Sequence, residues 1–100
     1  MKIFLVVLVL VCFTTCNAVT WLEGNWAWNC DFPSSRNLFP ALRTPAVNCY
    51  GQCQLWPGCT HFVWTNLNGG TCWMKTGAVT QSDAVAFAWV GSFCGIPPKQ

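Results

Sequence analysis

Residues 48–75 read NCYGQCQLWPGCTHFVWTNLNGGTCWMK, and they hold four of the eight cysteines of this 100-residue chain. Cysteines this close together either bind a metal ion or form disulfides. The two alternatives imply different cellular compartments and different functions. The remainder of the chain has to decide between them.

The first 18 residues, MKIFLVVLVLVCFTTCNA, have the layout of a secretory signal peptide. Lys2 supplies a positive charge, and the apolar run 3–13 is shorter than the roughly 20 residues that span a bilayer. Small residues precede a cleavage site between Ala18 and Val19. A short buried helix, a membrane anchor or a lipid-modified Cys16 agrees less well with this layout. We therefore expect a secreted, extracellular protein with no membrane insertion after signal removal, and one domain over residues 19–100.

Removal of the signal peptide also removes Cys12 and Cys16 and leaves six cysteines. An even set in a short exported chain is typical of a disulfide framework. The six are Cys30, Cys49, Cys53, Cys59, Cys72 and Cys94. A domain of about 80 residues is near the size at which one apolar core barely suffices, so cross-links have a structural role before any chemistry is considered.

Charge and motif content exclude several classes of function. Loss of Lys2 lowers the formal net charge from +2 to +1, which is no basic footprint for nucleic acid and no polybasic run for a membrane surface. No phosphate-binding glycine loop is present, and we expect no cofactor. An enzyme is disfavoured, because parity leaves no free thiol and the remaining candidate acids and bases are few: Glu23, Asp31, Asp83 and His61.

Alternating apolar and polar residues predict strands at both ends of the mature chain. Residues 21–32 place Trp26, Trp28 and Cys30 on one side of a strand, and residues 84–90, AVAFAWV, suggest a last strand. The proline-containing stretch 33–43 predicts a surface loop. The tail GIPPKQ predicts a frayed end.

The centre of the chain predicts a helix followed by a hairpin. Thr44 suits an N-cap and Pro45 the first position of a short helix over 45–55. The β-type runs 60–65 and 71–75 flank a glycine-rich loop, NLNGG. A symmetric loop places these pairs opposite each other: Phe62 and Met74, and Trp64 and Cys72, on an inner face towards the helix; Val63 and Trp73, and His61 and Lys75, on an outer face away from it. The sequence thus predicts a small α+β fold, a disulfide-stapled antiparallel sheet packed around one short helix.

Helix geometry favours one cysteine pairing. Cys49 and Cys53 share a helix face, where their side chains run roughly parallel and suit a mutual bond poorly. The compact solution is Cys53–Cys59, Cys49–Cys72 and Cys30–Cys94, although sequence alone permits fifteen pairings of six cysteines. The competing interpretation is a zinc site that takes thiolates from the same cluster and His61. It is disfavoured by the exported context and by the lack of a second close cysteine pair, so no metal is expected.

These residues resemble the core of a PAN/Apple domain over about residues 25–95. Such domains carry C-x3-C on a helix, then C-x2-F, then C-x-x-K on the second hairpin strand. The matching residues are Cys49 and Cys53, Cys59 and Phe62, and Cys72 and Lys75; outer cysteines like Cys30 and Cys94 distinguish the Apple form. The resemblance implies a twisted antiparallel sheet that cradles one helix, a first–sixth, second–fifth and third–fourth pairing, and protein or carbohydrate ligands. Functions tied to neighbouring protease, growth-factor or lectin domains are not carried over, because this chain shows a single copy.

Seven tryptophans exceed the needs of a small core and favour a binding function. Trp26, Trp28 and Trp64 have the phase of core residues. The outer face offers the better ligand-binding candidates: Trp73, His61, Lys75 and Val63. We expect His61 to be a solvated strand residue without a catalytic role, and a second layer over this face would remove the candidate site.

Two functions from different classes follow. The first is a secreted, non-catalytic recognition module that binds an extracellular protein or glycan. The second is a small disulfide-rich effector, such as a protease inhibitor or a defence protein; an inhibitor would need a rigid exposed loop, for which 31–48 is the only long stretch between cysteines. A pheromone-like or matrix-like structural role is a third possibility. The sequence does not indicate an oligomeric state.

Overall fold

The computed structural model describes residues 19–38 and 41–99. The predicted signal peptide, residues 1–18, lies outside them. Within the described residues the chain forms nine short strands and one α-helix: β1 (Trp21–Leu22), β2 (Trp26–Trp28), β3 (Cys30–Asp31), β4 (Arg36–Asn37), β5 (Leu42–Arg43), α1 (Ala46–Leu55), β6 (His61–Thr65), β7 (Thr71–Thr76), β8 (Val85–Ala86) and β9 (Phe93–Gly95). This is the small, disulfide-linked α+β arrangement that the sequence predicted.

The main sheet is antiparallel. Its three-residue strand β9, in which every residue is buried, lies between β2 and β6. The strand order of the sheet is β1-β2-β9-β6-β7-β4, with β5 also paired to β7, while β3 and β8 form a separate two-stranded ribbon. The sequence did not predict β9, and the predicted strand 84–90 pairs only at Val85–Ala86. The signal for β9 is weak because the strand has three residues and ends in Gly95, a residue type with low strand propensity.

The predicted hairpin register is confirmed. Strands β6 and β7 pair Phe62 with Met74, Val63 with Trp73 and Trp64 with Cys72. Phe62, Cys72 and Met74 belong to a buried inner cluster under the helix, whose members are Cys49, Cys53, Cys59, Phe62, Cys72, Met74 and Phe93. Val63 belongs to the outer cluster on the opposite face, with Ala27, Cys30, Phe32 and Cys94.

The stretch 21–32 is not the single alternating strand that its pattern predicts. A turn separates β1 from β2, and Asn29 adopts a left-handed φ of 54° between β2 and β3. Asparagine tolerates this conformation better than most residues. The break shifts the alternation, so Cys30 lies in the outer cluster while Trp26 packs against the inner one. The predicted common face of Trp26, Trp28 and Cys30 is therefore wrong.

Two other local predictions are also corrected. The predicted loop 33–43 contributes strands β4 and β5, both of which pair with β7. The tail is not frayed over its described part. Ile96 donates a backbone hydrogen bond to Asn25, and Lys99 Nζ donates to the carbonyl oxygens of Cys53 and Trp56 at 2.9 and 3.1 Å. This lysine satisfies carbonyls at the C-terminal end of α1 that have no partner within the helix.

Helix α1 begins one residue later than predicted. Pro45 is its N-cap, without a side-chain capping hydrogen bond, so Thr44 does not serve as the cap. Its position is fixed by contacts outside the helix: the Tyr50 hydroxyl donates to the Gly24 carbonyl at 2.6 Å, and Trp64 Nε1 donates to the Thr44 carbonyl at 2.9 Å. In the part of the chain that the structure describes, no helix has the length and hydrophobicity to cross a bilayer.

Three disulfides join these elements, and they are the pairs that helix geometry favoured. Cys49–Cys72 links α1 to β7, Cys53–Cys59 links α1 to the start of the hairpin, and Cys30–Cys94 links β3 to β9, with Cα–Cα distances of 5.4, 5.3 and 5.5 Å. All six sulfur atoms are buried with their residues. No thiolate among these cysteines is left for the zinc site that was considered as the alternative.

Two glycines provide a matched test of this packing. A Cβ added to Gly95 would lie 2.7 Å from the Phe62 ring, whereas one added to Gly51 in α1 would meet no atom within 4 Å. We expect Gly95→Ala to lower the free energy of unfolding by about 1–3 kcal/mol through overpacking. Gly51→Ala should raise it by up to about 1 kcal/mol through helix propensity. Urea unfolding of the disulfide-bonded proteins measures both, and equal effects would contradict the tight β9–β6 contact.

Candidate functional site

A second layer covers part of the outer face, the condition under which the sequence-predicted patch would be lost. Phe32 from the segment after β3 packs edge-to-face on His61, with ring centroids 4.7 Å apart. His61 is fully buried and Val63 is 2% exposed. The prediction that His61 is a solvated strand residue is therefore wrong, because the short segment after β3 folds back over it.

His61 is held in one neutral tautomer by its neighbours. Thr60 Oγ1 donates its proton to the Gly77 carbonyl at 2.7 Å, so it can only accept from His61 Nδ1, which lies 2.7 Å away. The other ring nitrogen, Nε2, lies 2.6 Å from Ser35 Oγ and accepts the hydroxyl proton. Both ring nitrogens are thus engaged in structural hydrogen bonds. Neither is free to transfer a proton to a ligand.

The outer face stays open beyond this covered part, at the Trp73 end of the hairpin. A concave pocket of about 190 Å³, which we call the outer-face pocket, lies there. Its described lining residues are Asp31, Asn37, Val63, Thr65, Trp73, Lys75, Phe87 and Trp89. Three of the four sequence-predicted candidates, Trp73, Lys75 and Val63, therefore line one pocket, and His61 does not.

Hydrogen bonds orient the two tryptophans of the outer-face pocket. Trp73 Nε1 donates to Thr65 Oγ1 across the hairpin at 3.0 Å, and Trp89 Nε1 donates to Asn66 Oδ1 at 2.6 Å. Trp89 also contacts Phe87 edge-to-face, with centroids 6.0 Å apart, and remains 38% exposed. Because the indole N–H groups are already satisfied, these side chains offer a ligand their ring surfaces.

Polar groups converge beside these rings. Lys75 is only 7% exposed, and its Nζ donates to Asn37 Oδ1 at 2.7 Å. Burial lowers the pKa of Lys75, and Asp31 acts in the opposite direction. An ammonium group has three N–H donors, and among the described residues only Asn37 accepts from one of them. Oxygen acceptors of a ligand would replace the hydrogen bonds to water that Lys75 Nζ loses on burial.

Five of the eight lining residues were not predicted as site residues: Asp31, Asn37, Thr65, Phe87 and Trp89. Asn37 reaches Lys75 only because the two-residue strand β4 pairs it with β7, and so short a strand leaves no periodic pattern. Trp89 is one of the seven tryptophans that favour a binding function, but the alternation around it predicts a regular strand. The unusual number of tryptophans was the one signal that could have found it.

A second, more apolar cavity lies beside the helix. This helix-side pocket has a volume of about 390 Å³ and is lined by Glu23, Gly24, Trp26, Trp28, Ala46, Val47, Tyr50 and Phe93. Trp28, predicted to be a core residue, is 52% exposed. Trp26 and Trp64 are partly buried against the inner cluster.

The described residues contain no group of three or more histidine, cysteine, aspartate or glutamate side chains able to hold a metal ion. Comparisons of the chain with protein-family models, with curated proteins and with solved structures found no match. The candidate sites are therefore defined by their own geometry: a polar and aromatic outer-face pocket and an aromatic helix-side pocket.

The buried histidine generates a pH prediction. Burial, reinforced by the charge of Lys75 and opposed by Asp83, lowers the pKa of His61 from 6.5 to about 4. Between these values the unfolded chain binds a proton that the folded chain does not, so the stability contributed by neutral His61 is present above pH 6.5 and lost as the pH falls towards 4. Urea unfolding across this range should show a steeper loss for the native protein than for His61→Gln, which does not titrate. Parallel pH profiles would contradict the buried neutral tautomer.

Proposed function

We propose that this chain is an exported, non-catalytic recognition domain of the PAN/Apple type, and that it binds a saccharide in the outer-face pocket. The observation that carries the proposal is the meeting of Trp73 and Trp89 with Asp31, Asn37 and Lys75 in one concavity. A protein ligand is the other class that the sequence predicted. The small, concave and polar character of the pocket favours the saccharide.

The dimensions and chemistry of the pocket support a sugar ring. Its volume of about 190 Å³ is below the roughly 300 Å³ of pockets that enclose drug-sized ligands. Aromatic surfaces pack against the C–H faces of a pyranose, while its hydroxyls need both donors and acceptors at the edge. Asp31 supplies acceptors, Lys75 supplies donors, and the amide nitrogen of Asn37 remains a donor because its oxygen already binds Lys75.

The PAN/Apple assignment is supported by the order and pairing of the cysteines. The three disulfides of the structure are the first–sixth, second–fifth and third–fourth pairs of the mature chain. The resemblance implies the same connectivity, with one helix held on an antiparallel sheet. Export is supported by the same bonds, since disulfides persist in oxidising compartments.

A non-catalytic role is supported by the state of the ionisable groups. Both nitrogens of His61 are hydrogen-bonded inside the domain. Asp31 accepts a hydrogen bond from the Phe32 backbone N–H at 2.7 Å, and Asp83 forms a capping box with Thr80. These contacts do not pair a nucleophile with a base, which is the arrangement that covalent catalysis requires.

The alternative of a protease inhibitor receives less support. Such inhibitors present a rigid exposed loop, and 31–48 was the candidate. The described parts of that stretch contain β4 and β5, which pair with β7, and the buried side chain of Phe32. Because these segments are hydrogen-bonded to β7, they do not form the exposed loop that such an inhibitor would need.

A glycan array probed with the disulfide-bonded protein tests the proposal, followed by calorimetric titration with the best-retained glycan. We expect Trp89→Ala to weaken binding about tenfold, because it removes an exposed stacking surface. Asp31→Asn, which keeps an acceptor for the Phe32 N–H but changes the pocket charge, should also weaken it. Trp28→Ala, in the helix-side pocket, is the matched control and should bind like the native protein.

Retention of glycans that neither Trp89→Ala nor Asp31→Asn reduces would exclude the outer-face pocket as the binding site. A parallel protease panel separates the two functional classes. Inhibition of a protease without retention of any glycan would favour the effector over the recognition module.

A further inference from the structure

The helix-side pocket is independent of the site proposed for saccharides. It is built by three separate parts of the chain: residues 23–28 supply Glu23 and the tryptophans of β2, α1 supplies Val47 and Tyr50, and β9 supplies Phe93. Its volume of about 390 Å³ falls in the range of small-molecule sites, about 300–1,000 Å³. Trp28 and Val47, which line it, are 52% and 85% exposed. Concave sites lined by apolar and aromatic side chains are characteristic of ligand-binding sites.

Four aromatic rings dominate this pocket: Trp26, Trp28, Tyr50 and Phe93. Trp26, Trp28 and Phe93 pack edge-to-face on one another, with centroid separations of 5.2 to 5.8 Å. The Tyr50 hydroxyl is already bonded to the Gly24 carbonyl at 2.6 Å. This bond satisfies two of the polar groups near the pocket, so the rings themselves become its main recognition surface.

The charged side chain of the pocket indicates whether a cationic or an anionic ligand is favoured. Among the described residues that line it, Glu23 is the only carboxyl side chain, no lysine, arginine or histidine is present, and Glu23 is exposed at the surface. The face of an aromatic ring carries negative potential, which attracts cations within about 6 Å of the ring centre. A carboxylate beside several aromatic rings therefore favours a cation and disfavours an anion.

We propose that the helix-side pocket binds an organic cation, an ammonium group carried on an apolar stem or substituted with methyl groups. The rings contact the stem and the charged head, and Glu23 compensates the charge. The walls are set before binding, because the Tyr50–Gly24 hydrogen bond and the Cys49–Cys72 bond fix the helix against the sheet. Because the pocket is preformed, little binding free energy is lost to ordering its side chains and backbone.

Titration of the intrinsic tryptophan fluorescence and of NMR amide shifts with choline tests this inference. The neutral isostere 3,3-dimethyl-1-butanol has the same shape without the charge, so the pair separates the cation from apolar burial. We expect choline to bind about tenfold more tightly than the isostere, with shift changes around β2 and the start of α1. Equal binding of the two, or no saturation by choline, overturns the proposal.

Variants locate the interaction. Glu23→Gln should reduce choline affinity several-fold and lower the preference over the neutral isostere by the same factor. Asp83→Asn, which changes a carboxylate outside the pocket, should leave both unchanged. Trp28→Ala should weaken choline binding about tenfold, and Trp89→Ala in the outer-face pocket should not. Because Trp28 and Glu23 are exposed, these variants are expected to fold. Choline binding that Glu23→Gln and Trp28→Ala leave intact would overturn the assignment.

A free amine and a lysine side chain of a partner protein share this chemistry. Titration with a short peptide that contains one trimethyl-lysine, compared with choline and with the unmethylated peptide, distinguishes the sources. Tighter binding of the methylated peptide than of choline assigns the site to a protein side chain. Equal or weaker binding of the peptide assigns it to a free small cation.

Discussion

The bond between Cys49 and Cys72 is the constraint on which the remainder of the structure depends. Helix α1 has ten residues and no side-chain N-cap hydrogen bond, and helices below about 12–15 residues are marginal on their own in water. The bond closes a loop over a sequence separation of 23 residues, which contributes about 3 kcal/mol in the chain-entropy model. It thereby fixes the helix over Phe62 and Met74, and the inner cluster can bury their side chains.

Because the Cys49–Cys72 disulfide holds the helix on one face of the hairpin, the two faces are covered to different extents. The inner face is closed by the helix, and the aromatic helix-side pocket forms where the start of the helix meets β2 and β9. The outer face is closed only over His61 and Val63, by the segment after β3. The uncovered end exposes Trp89 beside the half-buried Trp73 and the buried ammonium group of Lys75. One small domain thus presents an apolar, acidic pocket and a polar, mixed-charge pocket.

The local signals predicted the centre of the fold well. The spacing of Cys49 and Cys53, the glycine-rich loop and the alternation of the hairpin were sufficient for the disulfide pairs and the β6–β7 register. The failures lie where tertiary contacts override local pattern. The left-handed φ of Asn29 reverses which face the following residues occupy. Strand β9 forms only because its backbone pairs with both β2 and β6. His61 is buried by Phe32 in the segment after β3, and the position of this irregular segment cannot be predicted from hydrophobic periodicity. The outer-face pocket was predicted at its hairpin residues and missed at Asn37 and Phe87, which long-range pairing and an irregular segment bring there.

A disulfide map of the purified protein, obtained by proteolysis without reduction and combined with a thiol titration, tests the central claim most directly. The account predicts Cys30–Cys94, Cys49–Cys72 and Cys53–Cys59, with no reactive thiol among these cysteines and no change in folding on addition of a chelator. A different connectivity, free thiols at Cys49 and Cys72, or unfolding by the chelator alone would contradict it.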